Sequence, residues 1–319
     1  MKTTTTKLTV VATAKPSPLE RLVEDYCADA RARGLSPKSI KYGVAWPLRE
    51  IFLPWAADNN ITSVEELDNR TCNRFSAHLQ DHGGKQGALK PASIWSYSKA
   101  VRRFMSWASQ EGEQVPGEVK LNKLPQRMVE VLSAKEIEAL ENAASSERDN
   151  LIVMVLAQTG IRRAELVGLT DRDLLDEGGR YYLRIHGKGG RDRRVPMSSA
   201  LARRLRKLIA GRPKDADSKR IFLALKKRAG GHSIEPLTES GVTQMITGLG
   251  EKAGIERRVH PHMFRHSFAT LALRRGMDSL MVAEVLGHAG LQMLSRVYSH
   301  TTPTDAHVAL MKVLVAEDN

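Results

Sequence analysis

The sequence predicts a mainly α-helical protein with a small antiparallel β-sheet or hairpin, divided into an N-terminal helical bundle and a C-terminal α+β domain. Three observations predict this fold class. Apolar residues recur at helical spacing through most of the chain. Two strand-like segments flank a glycine-rich turn in the second half. A stretch that contains prolines and has no clear period separates the two halves.

The N-terminal part is predicted to begin with an arm and to continue as a helical bundle. Residues 1–16 contain only a short apolar run that is broken by threonines, which predicts a flexible arm rather than a signal peptide. Residues 17–113 contain helical segments that end at Gly or Asn or before loops of small and polar residues. Residues 114–130 hold two prolines, and we interpret them as an interdomain linker.

The second domain, residues 131–303, is predicted to be α+β. Ser133 and Glu136 form a capping-box pattern, which marks the start of a helix. The segments Arg180–Ile185 and Arg193–Met197 predict two strands joined by the turn HGKGGRD. We predict that the remainder is helical, over 150–158, 199–209, 237–253, 261–275, 278–286 and a terminal helix near 305–315.

The net charge of +13 and the pI of about 9.8 are unusually basic. Residues 1–130 carry 19 Lys and Arg against 14 Asp and Glu, and residues 131–319 carry 30 against 22, so both parts are basic. This distribution suits a two-sided grip on a polyanion such as nucleic acid, although surface charge also serves solubility. Two cysteines without metal-ligand spacing fit a reducing cytoplasm, and no apolar run is long enough to span a membrane.

The predicted helix over 93–109 combines basic and aromatic side chains. This combination suits a helix that grips a nucleic-acid backbone, but aromatic residues at this spacing are also typical of a buried helix face. Both interpretations stay open. The basic residues are Lys99, Arg102 and Arg103, and the aromatic residues are Trp95, Tyr97 and Trp107.

Two segments of the second domain present cations at positions suited to phosphate. In TGIRRAEL, a glycine ends one helix and Arg162 stands at the start of the next. Glu165 follows three residues later, where it can orient a neighbouring basic group. In GKGG, Lys188 lies at a predicted hairpin tip with little steric hindrance. Taken alone, a surface lysine or arginine is more often solvated than catalytic.

Two further segments carry groups that can transfer protons. In HPHMFRH, His262 and Arg265 are three residues apart and therefore share one face of a helix. His262 and His266 also have the spacing of a metal pair, but the H-E-x-x-H pattern is absent and no cysteine is near. The segment LGHAGLQMLSRVYSH contains His288 and, ten residues later, Tyr298.

Together and in this order, the four segments resemble the catalytic signature of the tyrosine recombinases, the phage-integrase family. That family carries Arg, Lys, His-x-x-Arg, His or Trp, and then Tyr. The flanking residues agree as well, including SFAT after His266 and VYSH around the tyrosine. The resemblance covers the second domain by motif, and the first domain by length, composition and position. The matching residues are Arg162, Lys188, His262, Arg265, His288 and Tyr298.

The resemblance implies a site-specific DNA recombinase or integrase that needs no metal, cofactor or ATP. Arg162 and Arg265 would clamp the phosphate, because each guanidinium stays charged and can donate two hydrogen bonds. Lys188 would be the general acid for the 5′-hydroxyl leaving group, and Tyr298 would attack to give a 3′-phosphotyrosyl bond.

The remaining expectations concern the surroundings of these groups. His262 and His288 would bind the phosphate or help to take the tyrosine proton, and Glu165 would support the site. Arg191 in the glycine-rich turn is a further expected DNA contact. The resemblance implies duplex DNA with a specific site as the partner and a tetramer in the recombining complex. The terminal segment 304–319 would dock on a neighbouring protomer or pack on its own domain.

Two details and two alternatives stay open at this stage. The interval from His288 to Tyr298 is ten residues, one more than is common in the family, which indicates either a one-residue insertion or a shifted His288. Arg163 adjoins Arg162, and only the motif selects between them. The alternatives are a type IB topoisomerase that relaxes DNA and a DNA-binding regulator on an inactive recombinase scaffold.

Overall fold

The computed structural model describes residues 15–81, 88–124, 130–187, 190, 192–212, 218–228 and 231–287. The chain divides into two compact units, unit 1 (Met1–Gln126) and unit 2 (Arg127–Asn319), and the division falls within the predicted linker. Both units are mainly helical and unit 2 adds small antiparallel sheets, so the predicted fold class is confirmed. Within the described ranges, no helix is long and apolar enough to cross a membrane.

Unit 1 is a helical bundle. Ser17 starts its first helix with a capping box, because its hydroxyl accepts from the Glu20 N–H while the Glu20 carboxylate accepts from the Ser17 N–H. The helical chain widens into two π-helical segments, Lys41–Ala45 and Pro47–Phe52, and the second begins at a proline, a residue without an N–H to donate. The helices are α1 (Pro18–Ala32), α2 (Pro37–Ile40), α3 (Leu53–Asp58), α4 (Asn69–Asp81) and α5 (Pro91–Gln110).

Aromatic side chains fill much of the core of unit 1. The rings of Phe52 and Phe75 meet edge to face at 5.4 Å, and Trp55 lies 5.0 Å from Phe75. Phe104 from α5 is fully buried against the same group. Each such side chain contributes about 1.5–3 kcal/mol through burial, so helices that are weak alone are held by one shared core.

Unit 2 contains seven described α-helices and a three-stranded sheet. Strands β2 (Arg180–Ile185) and β3 (Arg193–Met197) have the predicted bounds and pair antiparallel, with Leu183 opposite Val195. A further strand, β1 (Leu174–Glu177), which the sequence pattern did not predict, pairs with β2. The helices are α6 (Ala134–Ala143), α7 (Glu147–Thr159), α8 (Arg163–Gly168), α9 (Ser199–Ala210), α10 (Glu239–Lys252), α11 (Pro261–Arg274) and α12 (Ser279–Leu286).

The predicted helices leave residues 210–236 unassigned, and the sequence predicted no second pair of strands there. Strands β4 (Leu223–Arg228) and β5 (Gly231–Pro236) form a second antiparallel pair there. The segment LALKKR consists of residues that favour helices, and it lacks the β-branched residues that mark strands. Its conformation is set by backbone pairing with β5, which no local pattern reveals. The predicted terminal helix near 305–315 lies outside the described residues.

Candidate active site

Helix α7 ends at Gly160 in a backbone conformation that places Arg162 at the start of α8. Gly160 is the C-cap with a φ of +60°, which only glycine adopts without strain. A Cβ added there would lie 2.7 Å from Cδ1 of Phe268 and 2.8 Å from Cδ2 of Leu286. The tight turn therefore depends on glycine for its conformation and for its packing.

Glu165 fixes Arg162 in place from the first turn of α8. Its carboxylate accepts from the backbone N–H of Arg162 at 2.7 Å and from Nη1 of the same residue at 2.9 Å. Arg193 on β3 donates to both oxygens of Glu165, at 3.0 and 2.8 Å. Burial raises the pKa of Glu165, but the bonds from Arg193 and Arg162 outweigh it and hold the pKa below the ordinary value of 4.5. The carboxylate is therefore charged at neutral pH, and it lies beside Arg162.

Arg265 on α11 is a buried cation that is held by backbone carbonyls. Only 4% of the residue is exposed. Its Nη1 donates to the Gly160 oxygen at 2.9 Å, and its Nη2 donates to the Leu286 oxygen at 2.6 Å. Burial, with the positive charge of Arg162 adding to it, lowers the pKa of Arg265 to about 10. The guanidinium therefore stays charged at neutral pH, close enough to Arg162 for the two charges to interact.

His262 lies one helical turn before Arg265 on α11, at the surface of unit 2. Partial removal of water from around its ring lowers its pKa below the ordinary 6.5. The charges of His260, Arg265 and Arg162 are among those that lower it further. The imidazole is therefore neutral at neutral pH and has a nitrogen that can accept a proton.

The structure distinguishes between the two adjacent arginines of TGIRRAEL. Arg163 donates to Glu239 at 2.9 Å and to Thr243 at 2.5 Å, so it ties α8 to α10. Arg162 instead faces Glu165, and its charge acts on Arg265. The two arginines therefore have different partners, and of the two it is Arg162 whose charge acts on Arg265.

Sequence reasoning missed Arg193. Its Nε donates to the carbonyl oxygen of Val285 at 2.8 Å, in addition to its two bonds to Glu165, and only 13% of its side chain is exposed. A signal was available, because alternation along β3 places Arg193 on the same face as the fully buried Val195. An arginine on the core side of a strand requires a buried partner.

The structure brings together three of the six motif residues, Arg162, His262 and Arg265. Glu165 is hydrogen-bonded to Arg162. The other predicted residues of unit 2 lie outside the described residues, and they are Lys188, Arg191, His288 and Tyr298.

The expected DNA contacts of α5 have mixed surroundings. Nζ of Lys99 lies 4.4 Å from the centre of the Trp95 ring, and Arg102 forms an ion pair with Glu118. Arg103 is exposed. The interpretation of α5 aromatics as core residues holds for two of the three, Tyr97 and Trp107, which pack against the core of unit 1.

Comparison with known proteins shows which family has a sequence similar to that of this chain. The chain is 32% identical to tyrosine recombinase XerA of Pyrococcus furiosus, over 77% of this chain and 80% of the relative. It is 29% identical to tyrosine recombinase XerD of Halalkalibacterium halodurans, over 85% and 90%. These matches define the class of protein as a tyrosine recombinase, which is an enzyme. The profile of the phage integrase family matches residues 130–305, and the chain belongs to that family.

Solved structures agree on the fold. A XerH site-specific recombinase bound to its difH substrate is similar with a TM-score of 0.66 and 24% identity, over 90% of this chain and 83% of that one. A lambda integrase dimer bound to a core site is similar with a TM-score of 0.63 and 17% identity, over 84% and 94%. The sequence matches confirm the family resemblance expected from the motif residues, and they favour a recombinase over the topoisomerase and the inactive regulator.

Proposed function

We propose that this protein is a site-specific DNA recombinase or integrase that cleaves and rejoins DNA through a 3′-phosphotyrosine intermediate, without metal or ATP. The observation that carries the proposal is the buried Arg265, which is fixed by two carbonyls beside Arg162 and one helical turn from His262. Two fixed cations next to a neutral proton acceptor are suited to a phosphodiester in a transition state.

The two arginines supply positive charge to the non-bridging oxygens. A guanidinium has five N–H groups, and the described contacts of Arg265 use two of them, on Gly160 and Leu286. Arg162 donates one side-chain bond, to Glu165. Both therefore keep donors for a phosphate while their orientation is already set. Because no reorganisation is required when charge develops, this arrangement favours the transition state over the ground state.

The remaining roles follow from the family motif. In the proposal Tyr298 attacks the phosphorus and forms the 3′-phosphotyrosyl bond, while Lys188 protonates the departing 5′-oxygen. His262 and His288 bind the phosphate or accept the tyrosine proton. The energy of the broken phosphodiester is kept in the tyrosyl ester, so a second DNA hydroxyl reverses the step without ATP.

The proposed partner is duplex DNA that carries a specific recombination site, bound by a tetramer in the recombining complex. The basic charge of both parts of the sequence supports a polyanionic partner. Among similar structures, the XerH recombinase is bound to its difH substrate, and a lambda integrase dimer is bound to a core site. Lys99, Arg102, Arg103 and Arg191 are proposed DNA contacts, and residues 304–319 are proposed to dock on a neighbouring protomer.

The proposed place of action is the cytoplasm. Cys27 and Cys72 are both unpaired and buried in unit 1, which fits a compartment where thiols stay reduced. Burial raises the pKa of both thiols, and that of Cys72 reaches about 11. Neither cysteine is therefore poised to react.

A trapping experiment tests the proposal. The protein is incubated with a pool of nicked duplexes of random sequence and is then denatured, so that only covalently attached DNA remains with it. The parent protein is expected to retain DNA, and the retained DNA, once sequenced, to share a common site. Tyr298→Phe is expected to bind the same duplex in a gel-shift assay but to retain none after denaturation.

Three outcomes would contradict the proposal. A denaturant-resistant complex with Tyr298→Phe would exclude this tyrosine as the nucleophile. Relaxation of supercoiled plasmids that lack the recovered site would indicate a topoisomerase. A parent protein that binds the DNA and traps none would indicate a regulator.

A further inference from the structure

We infer that Arg193 is a positioning residue that occupies Glu165 and thereby keeps Arg162 available for phosphate. The inference rests on the proposed function of the site. Arg193 lies on β3, whereas Glu165 and Arg162 lie at the start of α8. Its role would be to divide one carboxylate between two guanidinium groups.

The hydrogen bonds of Arg193 go to other residues of unit 2, which leaves the side chain poorly suited to binding a ligand. Nη1 and Nη2 donate to Oε1 and Oε2 of Glu165 at 3.0 and 2.8 Å, and Nε donates to the Val285 oxygen at 2.8 Å. All three nitrogens are therefore engaged within unit 2. Since only 13% of its side chain is exposed, Arg193 is poorly placed to reach a bound DNA strand.

The carboxylate of Glu165 is shared unequally. Arg193 binds both of its oxygens, which is the strongest arrangement between a guanidinium and a carboxylate. The Arg162 side chain binds only Oε1, through one nitrogen. Only 11% of the Glu165 side chain is exposed, so little water competes for the carboxylate.

Removal of Arg193 would change how the Glu165 carboxylate is shared between the two arginines. The Glu165 carboxylate would keep its charge and would be free to bind both nitrogens at the end of Arg162, three residues earlier in the chain. That pairing would neutralise the charge that Arg162 presents to a phosphate and would turn its donors away. Arg193 therefore keeps the charge of Arg162 available to a phosphate, because Arg193 already binds both carboxylate oxygens of Glu165.

Arg193 also connects the surroundings of Arg162 with those of Arg265, at the C-terminal end of α12. The Val285 oxygen accepts from Arg193, and the next carbonyl, that of Leu286, accepts from Arg265. The last carbonyls of α12 are thus held by two cations, which is favourable at the C-terminal end of a helix. A change at Arg193 would consequently reach both Arg162 and Arg265 without contact with DNA.

The test separates binding from cleavage. The duplex recovered by trapping is used to measure a dissociation constant and a single-turnover rate of covalent complex formation. We expect Arg193→Met and the more conservative Arg193→Lys to bind DNA within about threefold of the parent, since Arg193 makes no DNA contact. We expect their cleavage rates to fall by about 10- to 100-fold, the range caused by misplaced catalytic groups.

Arg194→Met is the matched control, because Arg194 is the next residue on β3, is 64% exposed and pairs with Glu177. This variant is expected to cleave like the parent.

The second arm of the test identifies the mechanism. In the Arg193→Met background, Glu165→Gln removes the charge that would capture Arg162, and we expect the double variant to cleave about tenfold faster than Arg193→Met alone. Circular dichroism and thermal unfolding establish that each variant is folded, with Arg193→Lys replacing Arg193→Met if the latter is not.

Each outcome bears on the inference. A parental rate in folded Arg193→Met, a loss of affinity that parallels the loss of rate, or a double variant no faster than the single one would overturn it. Failure of the parent to trap DNA would instead overturn the proposed function, so the two failures are distinguishable.

Discussion

The guanidinium of Arg265 donates a hydrogen bond to the carbonyl oxygen of Gly160, 2.9 Å away, although the two residues are 105 positions apart in the chain. Gly160 ends α7 two residues before Arg162. The bond therefore connects one proposed phosphate-binding arginine to the turn that places the other. Because Arg265 is buried, this connection is shielded from water, and the spacing between the two cations is set by the backbone.

The first prediction concerns this pair of arginines. Arg162→Ala and Arg265→Lys are each expected to slow covalent complex formation by at least about 100-fold, as loss of a fixed transition-state donor does. A lysine at 265 also lacks the planar fork that reaches both the Gly160 and the Leu286 oxygens. Single-turnover trapping of the recovered duplex measures both variants.

Arg163→Ala is the matched control for these variants. Arg163 adjoins Arg162 but binds Glu239 and Thr243, so its loss should leave the cleavage rate within a few-fold of the parent if the fold is kept. Addition of a chelator to the parent protein should leave the rate unchanged. A rate that fell in chelator would favour a metal-dependent nuclease over the arginine clamp.

The second prediction concerns pH. The pKa of His262 lies below 6.5, so its imidazole loses its proton acceptor only when the pH falls beneath that value. We expect the cleavage rate of the parent to be level through neutral pH and to fall in acid, with a midpoint below 6.5. His262→Asn should be slower at neutral pH and should lose this acid limb. His78→Asn, in unit 1, is the control and should keep it; an unchanged acid limb in His262→Asn would assign the titration to another group.

The third prediction compares two glycines with the same backbone conformation. Gly160 and Gly178 have φ values of +60° and +62°, but a Cβ would clash only at Gly160, because nothing lies within 4 Å at Gly178. Gly178→Ala should lower the free energy of unfolding by about 1–2 kcal/mol, the cost of the left-handed conformation. Gly160→Ala should lower it by about 2–5 kcal/mol, since overpacking is added. Equal losses in chemical denaturation would show that the contacts with Phe268 and Leu286 are unimportant.

The fourth prediction concerns the first helix of unit 2. A hydrogen bond from Arg257 to Glu136, 2.5 Å long, and the cap at Ser133 lower the pKa of Glu136 to about 2 from 4.5. A depressed pKa stabilises the folded state above about pH 4.5, and the contribution is lost as the pH falls toward 2. Glu136→Gln should lower the free energy of unfolding by about 1 kcal/mol at neutral pH, discounted for partial exposure.

The comparison with Glu138→Gln isolates this effect, since Glu138 lies on the same helix and is exposed. Glu138→Gln should unfold like the parent across the pH range. A constant difference between Glu136→Gln and the parent from pH 7 down to pH 2 would contradict the ionic origin of the stabilisation.

Local patterns accounted for the parts of the fold that local chemistry dictates. The capping box of Ser133 and Glu136 and the bounds of β2 and β3 were predictable, because each depends on residues close in sequence. The pairing of β4 with β5 was not, since helix-forming residues adopt a strand there only through their partner. Among the site residues, the shared face of His262 and Arg265 required only helical spacing.

The contacts around those residues could not be predicted from the sequence. The bonds of Arg265 to Gly160 and of Arg193 to Val285 join residues 105 and 92 positions apart, and the bond of Arg265 to Leu286 joins two helices. They go to backbone carbonyls, which every residue has and which therefore leave no mark in the sequence. The different partners of Arg162 and Arg163 also emerge only when α8 packs beside α10.

The two arginine bonds at the end of α12 have a consequence for the delivery of the tyrosine. Tyr298 follows Leu286 by twelve positions in the sequence, and twelve residues of fully extended chain span at most about 43 Å. In the proposed mechanism Tyr298 is joined to this helix end by a short stretch of sequence, so the effective concentration of its hydroxyl at the phosphate depends on where the helix end is held. In this proposal, loss of the two arginine bonds at the end of α12 would lower the effective concentration of the tyrosine hydroxyl at the phosphate, although the tyrosine itself would be unchanged.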